Sequence, residues 1–246
     1  MPRFPLRLAA SLVLFGASAG ACAQSDAGPA NRPTATASGV TSSSGDVATS
    51  AVSNTVGGLQ DTSGGSADRG RIRGAPTAQV WLVEISDFQC PYCKSWHDAV
   101  YPTIEREYVQ TGKIRMAYIN YPLSSIHPNA RAAAEAAMCG SVQGRFWELH
   151  ESLFNTQPLW ASQRDPMHIF DSLAVAAKVD PKAWRTCMAT HATAALIDAD
   201  RDRAMRAGIQ STPSFFVGSR GLVGSYPVDT FRVVLDSAIA KARAGR

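Results

Sequence analysis

Apolar residues come in runs along this chain, and the period of those runs changes from stretch to stretch. Leu8 to Ala19 is an apolar run, short for a membrane span and preceded by Arg3 and Arg7. From Gln24 to Gly70 the pattern disappears. That stretch is Ser, Thr, Ala, Gly and Asp with a few Val and no Phe, Trp or Tyr, so it cannot bury enough apolar surface to offset its ordering entropy. It reads as a flexible linker, with a dispensable exported tail as the alternative. Periodicity returns near Arg71. Arg71 to Gly74 is expected as a short edge strand and Gln79 to Ile85, with Val80, Trp81, Leu82, Val83 and Ile85, as a buried strand. Asp87 to Gln89 makes a polar corner around Phe88. A helix is then expected to about Gln110, where Thr111-Gly112 breaks it, and Lys113 to Tyr121 alternates as a strand that Pro122 stops. A strand, a helix and a strand in that order imply a parallel pair.

From Pro128 to Ala207 the pattern is helical. Pro128 to Gly140 is Ala-rich, and Gln143 to Asn155 carries Phe146, Leu149 and Leu153 on one face. Asp165-Pro166 and Asp180-Pro181 each combine a cap residue with a first-turn proline, opening Met167 to Val179 and a helix from Lys182. Ile197 to Arg206 ends at Gly208, a C′ residue. Strands Ser214 to Val217 and Gly221 to Gly224 follow, and Pro227 to Ala244 closes the chain with a stripe of Val228, Phe231, Val234, Leu235 and Ile239.

Chemistry enters at Cys90-Pro91-Tyr92-Cys93, between a buried strand and a helix. Proline suits the first helical turn, where its missing N–H costs nothing. Cys90 is thereby set over the free N–H groups and positive end of the helix, which favour a thiolate. Cys93, three residues on, can close a small disulfide ring with it. A metal site is the competing reading, because Cys90-x2-Cys93-x3-His97 supplies three potential ligands. A structural zinc site usually wants four protein ligands, and no second pair follows.

The segment Asp87-Phe88-Gln89-Cys90-Pro91-Tyr92-Cys93 after an apolar strand resembles the DsbA-like branch of the thioredoxin superfamily. Gly208 to Val217, GIQSTPSFFV, resembles that family's cis-proline segment, and Gln143 to Trp147 and Cys187-Met188 match its helical insertion. The resemblance implies an α/β thioredoxin fold over residues 71–246 with a helical subdomain inserted at about 127–207. It implies a protein disulfide oxidoreductase that needs no cofactor beyond its redox-active disulfide and holds no metal. Cys90 is then the nucleophile and Cys93 the more buried resolving partner. Glu84, six residues before Cys90, matches an acid the family keeps beneath the second sulfur, where it would take and give the Cys93 proton; otherwise it is a strand residue in solvent. Pro213 is the family's cis proline. Thr212, Pro91 and Tyr92 are the expected substrate-contacting positions. Tyr92 stands where the DsbA type commonly has His; Lys94 and His97 either compensate in part as nearby positive charge or are solvated helix residues. Phe88, Trp96 and Tyr92 either line an apolar groove or belong to the core.

Composition adds a compartment. Residues 1–23 read as a secretory signal with two competing ends: Ala21-Cys22-Ala23 gives a cleavage site before Gln24, and Ala19-Gly20-Ala21-Cys22 resembles a lipobox with lipid on Cys22. Of the five cysteines, Cys22 is thus removed or acylated. Cys139 and Cys187, in different helices, remain beside the C-P-Y-C pair. An oxidising compartment favours a disulfide between them over two buried thiols. The net charge of +4 comes from scattered basic residues, which excludes a nucleic-acid footprint. The protein is therefore expected in the periplasm, either released there or, with lipid on Cys22, membrane-anchored as a lipoprotein. It would oxidise cysteine pairs of exported proteins and be reset by a membrane redox partner. An isomerase or reductase of the same fold, or a metal- or peptide-binding module, is the alternative.

Overall fold

A computed structural model describes residues 65–245; the expected signal, Cys22 and most of the expected linker lie outside them. The expected linker's last residues fall inside, and Ser66–Gly70 is a short helix, α1. Strand β1 is Ile72–Gly74, β2 Val80–Ser86 and β3 Ile114–Asn120. After the helical segment come β4, Ser214–Val217, and β5, Arg220–Val223. The five strands lie in the order β1-β3-β2-β4-β5. Only β2 and β3 run parallel, with Glu84 opposite Tyr118; β2 and β4 are antiparallel, with Glu84 opposite Phe215.

Strand alternation divides the core in two. Leu82, Tyr118, Phe215 and Val217 face a large cluster with Cys93, Trp96 and Phe231, whereas Val83, Ile85, Ile119 and Tyr121 meet Ala204 and Ile209 on the other side. The closing helix α10, Val228–Ala244, buries Phe231, Val234 and Leu235. Trp96 lies 4.6 Å from Phe215 and 5.6 Å from Phe231, centroid to centroid, which locks the helix after Cys90 onto the sheet.

That helix, α2, is Pro91–Ala99. The single helix expected to Gln110 is instead split into α2, α3 at Tyr101–Ile104 and a π-helical turn at Glu105–Val109. Pro102 is the cause: it has no N–H to give a carbonyl one turn earlier, and its ring crowds that carbonyl.

Helices α4 (Ala130–Ser141), α5 (Phe146–Asn155), α6 (Gln157–Trp160), α7 (Met167–Ala176), α8 (Pro181–Ala189) and α9 (Ala194–Arg206) all fall between β3 and β4. Asp180 caps α8, accepting from the Ala183 N–H at 2.7 Å, with Pro181 in the first turn. At α7 Pro166 occupies the cap position, and Asp165 accepts from the Met167 N–H at 3.0 Å. α7 stops at Ala176, short of Val179, because the chain turns left-handed at Lys178, φ 59°. Gly208 leaves α9 at φ 77°, which a glycine adopts without a Cβ clash.

Two covalent or charged links tie these helices down. Cys139 of α4 and Cys187 of α8 form a disulfide, with Cα atoms 5.8 Å apart and a sequence separation of 48. Asp200 of α9 is fully buried and accepts from the Asn120 N–H and side-chain amide at 3.0 and 3.1 Å, while pairing with Arg71. Replacing Cys139 and Cys187 together by Ser is expected to lower the unfolding free energy by about 2–4 kcal/mol, since the bridge restricts the unfolded chain. Urea denaturation of non-reduced protein measures this; an unchanged midpoint would show that the bridge restrains nothing.

Candidate active site

The site forms where β2 ends. Asp87 turns the chain: its backbone carbonyl accepts from the Cys90 N–H at 3.1 Å, and its carboxylate accepts from the Gln89 and Leu123 N–H groups at 2.7 and 2.9 Å. The same carboxylate lies 2.7 Å from His127 Nδ1. Cys90 then takes the cap position of α2 with φ −66° and ψ 126°, and Pro91 opens the first turn. Its sulfur lies 3.5 Å from the carbonyl of Thr212, whose peptide bond to Pro213 is cis. The C-P-Y-C turn and the Thr212-Pro213 segment, 122 residues apart, are thus in contact.

Cys90 and Cys93 are both unbonded thiols. Hydrogen bonding from the Cys93 thiol, and after it from Thr212 and the backbone N–H groups of Cys93 and Tyr92, holds the Cys90 thiol down to about 6 against the opposing effect of burial. Cys93 is completely buried, and burial first, then the neighbouring Cys90, pushes its thiol well above the usual range. Cys93 is the more buried of the two, as expected, yet the difference is small. Cys90 keeps only 4% of its surface, because the Thr212-Pro213 segment and Gln157 of α6 pack against it.

Glu84 is also completely buried, and neither carboxylate oxygen has a hydrogen-bond partner. Burial pushes its carboxyl up to about 8. Strand parity puts it on the α2 face with Leu82, beside Tyr118, whose unpartnered hydroxyl is pushed up by burial and then by the charges of Glu84 and Cys93. It is not a strand residue in solvent.

The remaining expected positions divide. Pro91 and Tyr92 are exposed, Tyr92 at 68%, whereas Thr212 is buried. Phe88 and Trp96 are core residues rather than groove walls. Lys94 and His97 do not supply positive charge to the sulfur. Lys94 Nζ is held by both oxygens of Asp98 at 3.0 and 2.9 Å. His97 is buried, stacked on Tyr101 and Phe154, and burial lowers its pKa, so it is neutral near pH 7. Among the described residues no group of three or more His, Cys, Asp or Glu side chains is placed to hold a metal ion; Cys90, Cys93 and His97 do not converge.

Several site residues have no signature in the sequence. Gln157, buried in α6, donates to the carbonyls of Phe88 at 2.7 Å and Cys90 at 3.1 Å. Gln89 reaches back, donating to the Ala161 carbonyl at 2.7 Å and accepting from the Asn129 N–H at 2.6 Å. His150 is buried with both ring nitrogens unpartnered amid Phe88, Tyr118 and Phe154. Only the run of polar residues around Phe88 hinted that the corner was tied to something.

Residues 66–237 match the family model described as Thioredoxin. The chain belongs to the thioredoxin family. It is 33% identical over 178 residues to Na(+)/H(+) antiporter NhaA 3 of Salinispora tropica, covering 72% of this chain. The chain spans only 26% of that relative's length. It is 26% identical over 172 residues to the Probable disulfide bond formation protein D of Bacillus anthracis, covering 68% of this chain and 77% of that one. Among solved structures it resembles alpha-DsbA1 of Wolbachia pipientis, with a TM-score of 0.64 at 23% identity, over 71% of this chain and 93% of that one. No helix of the described residues is long and apolar enough to cross a membrane.

Proposed function

We propose that this thioredoxin-family protein is a thiol–disulfide oxidoreductase that donates a Cys90–Cys93 disulfide to cysteine pairs of exported proteins. The observation that carries the reading is the asymmetry of the two sulfurs. One is held down to about 6 at a helix N-terminus and the other is pushed up by complete burial. A substrate thiolate attacks Cys90 Sγ, the Cys90–Cys93 bond breaks, and Cys93 leaves with the bonding electrons and takes a proton. Glu84, protonated near neutral pH on the same face of the sheet, would supply that proton and regain one through an intervening water, since neither carboxylate oxygen bonds the Cys93 sulfur directly. A second substrate thiolate then attacks the substrate sulfur of the mixed disulfide and expels Cys90 as a thiolate. The substrate has lost two electrons and gained a disulfide, and the protein holds a Cys93 thiol and a Cys90 thiolate. A low pKa at Cys90 makes it a good leaving group, which favours donation over reduction.

Thr212 lies just beyond the last β2–β4 pair, Ile85 with Ser214, and is placed to meet an extended substrate segment beside the sulfur, with Pro91 and Tyr92 flanking it. Export by residues 1–23, with lipid on Cys22 or cleavage before Gln24, and resetting by a membrane redox partner belong to the same reading. The deciding experiment mixes the oxidised full chain with a peptide carrying two cysteines. Transfer of one disulfide per protein, with two thiols appearing at Cys90 and Cys93, is expected; no transfer would refute the reading. The mass of the mature N-terminus distinguishes acylated Cys22 from free Gln24.

A further inference from the structure

The corner that carries Cys90 is held from outside the thioredoxin sheet. Three consecutive residues, Phe88, Gln89 and Cys90, are bonded to the helical segment, and the bonds run in both directions. Gln89 sends its side chain outward to the main chain at Asn129 and Ala161. Gln157 sends its side chain inward, and its one amide nitrogen spans the carbonyls of Phe88 and Cys90. Gln157 is buried, at 6% of its surface, so water cannot replace it cheaply.

We propose that Gln157 is a positioning residue for disulfide exchange, holding the two carbonyls so that the Cys90 sulfur faces the N–H groups of α2. The inference rests on Cys90 being the reacting sulfur. Two physical effects act together. The Cys90 carbonyl already accepts the first helical bond, from the Lys94 N–H at 3.1 Å. A second donor fixes the ψ of Cys90, the torsion that orients the residue against the helix it caps. The amide hydrogens also neutralise the negative ends of two carbonyl dipoles beside the sulfur, which would otherwise oppose a thiolate there. The helical segment thereby tunes the sulfur without touching it.

The test uses the reduced full chain and titrates the thiolate by its ultraviolet absorbance, a readout that needs no substrate. Gln157→Met keeps the volume and removes both bonds. It is expected to raise the Cys90 titration midpoint by about one unit. Such a rise shifts the equilibrium with glutathione at pH 7 roughly fivefold toward the disulfide form of the protein. Asn129→Ala is the control. Asn129 donates to the carbonyls of Trp160, Ala161 and Gln163, so its loss loosens the same segment while leaving the Gln157 amide in place. It is expected to lower Tm with the Cys90 midpoint unchanged. If Gln157→Met does not fold, Gln157→Asn keeps the amide on a shorter stem, cannot span both carbonyls, and is expected to give a smaller rise in the same direction. A Gln157 variant that lowers Tm and leaves the midpoint in place, or an Asn129→Ala shift equal to that of Gln157→Met, overturns the proposal. Because burial pushes the Cys93 thiol well above the usual range, the low midpoint of the titration belongs to Cys90, and these outcomes are independent of whether the peptide in the exchange assay is oxidised.

Discussion

Cys90→Ser reduces exchange with a dicysteine peptide to the uncatalysed background, while Cys93→Ser traps the peptide on Cys90 as a mixed disulfide. The two losses differ because the two sulfurs differ. On the proposed function Cys90, held down to about 6, is the sulfur at which a partner arrives and departs. Cys93 has no exposed surface, so no partner thiol reaches it. The role proposed for it is to attack Cys90 from within and release whatever Cys90 holds. Non-reducing electrophoresis and mass spectrometry of the adduct check this. A Cys90→Ser variant that still carries the peptide on Cys93 would reverse the assignment. Alkylation of the reduced wild-type protein near neutral pH should label Cys90 well before Cys93, for the same reason.

Glu84→Gln is expected to stabilise the protein by about 3 kcal/mol at pH 7 and to slow exchange. The sign follows from proton binding. The Glu84 carboxyl titrates at about 8 in the folded protein, against a reference value of 4.5. Below 4.5 it is neutral in both folded and unfolded chains and costs nothing extra. As pH rises past 4.5 the unfolded chain releases this proton while the folded protein keeps it. Stability therefore falls by about 1.4 kcal/mol per pH unit until the folded carboxyl ionises near 8. Glutamine has no charge to gain in either state, so the variant lacks this slope. Urea unfolding of both proteins at several pH values tests it: the curves should meet near pH 4.5 and separate toward pH 8. A constant gap would mean that Glu84 does not titrate on folding. Exchange slows because Cys93 loses its proton donor, so the opening of the Cys90–Cys93 bond should suffer more than the Cys90 titration.

The same strand illustrates how far reading from sequence reaches. Strand β2 was legible because its apolar density leaves a chain few alternatives to a buried strand. The turn at Cys90 was legible because cysteine, proline and cysteine at that spacing satisfy the local rules for a helix N-terminus. The role of Lys94 and His97 stayed open in the sequence for a physical reason. A charge acts on what it faces, and Asp98 captures Lys94 while the aromatic core takes His97. The helix break at Pro102 was present in the letters, yet the apolar pattern continues through it.

By itself the sequence determined the alternation of strands and helices and the C-P-Y-C pair on a helix cap, because each depends on neighbours within a few residues; the segment around Pro213 was marked only by its resemblance to a family motif. Only the tertiary structure decided that Glu84 is wholly buried without a partner, that Cys139 meets Cys187, and that Thr212 faces Cys90. Gln157 belongs to the same set: a glutamine in a short helix becomes a clamp only when that helix is carried 67 residues along the chain back to the Cys90 carbonyl. Desolvation and hydrogen bonding act through space, and periodicity along the chain carries no record of which distant surface will close over a side chain.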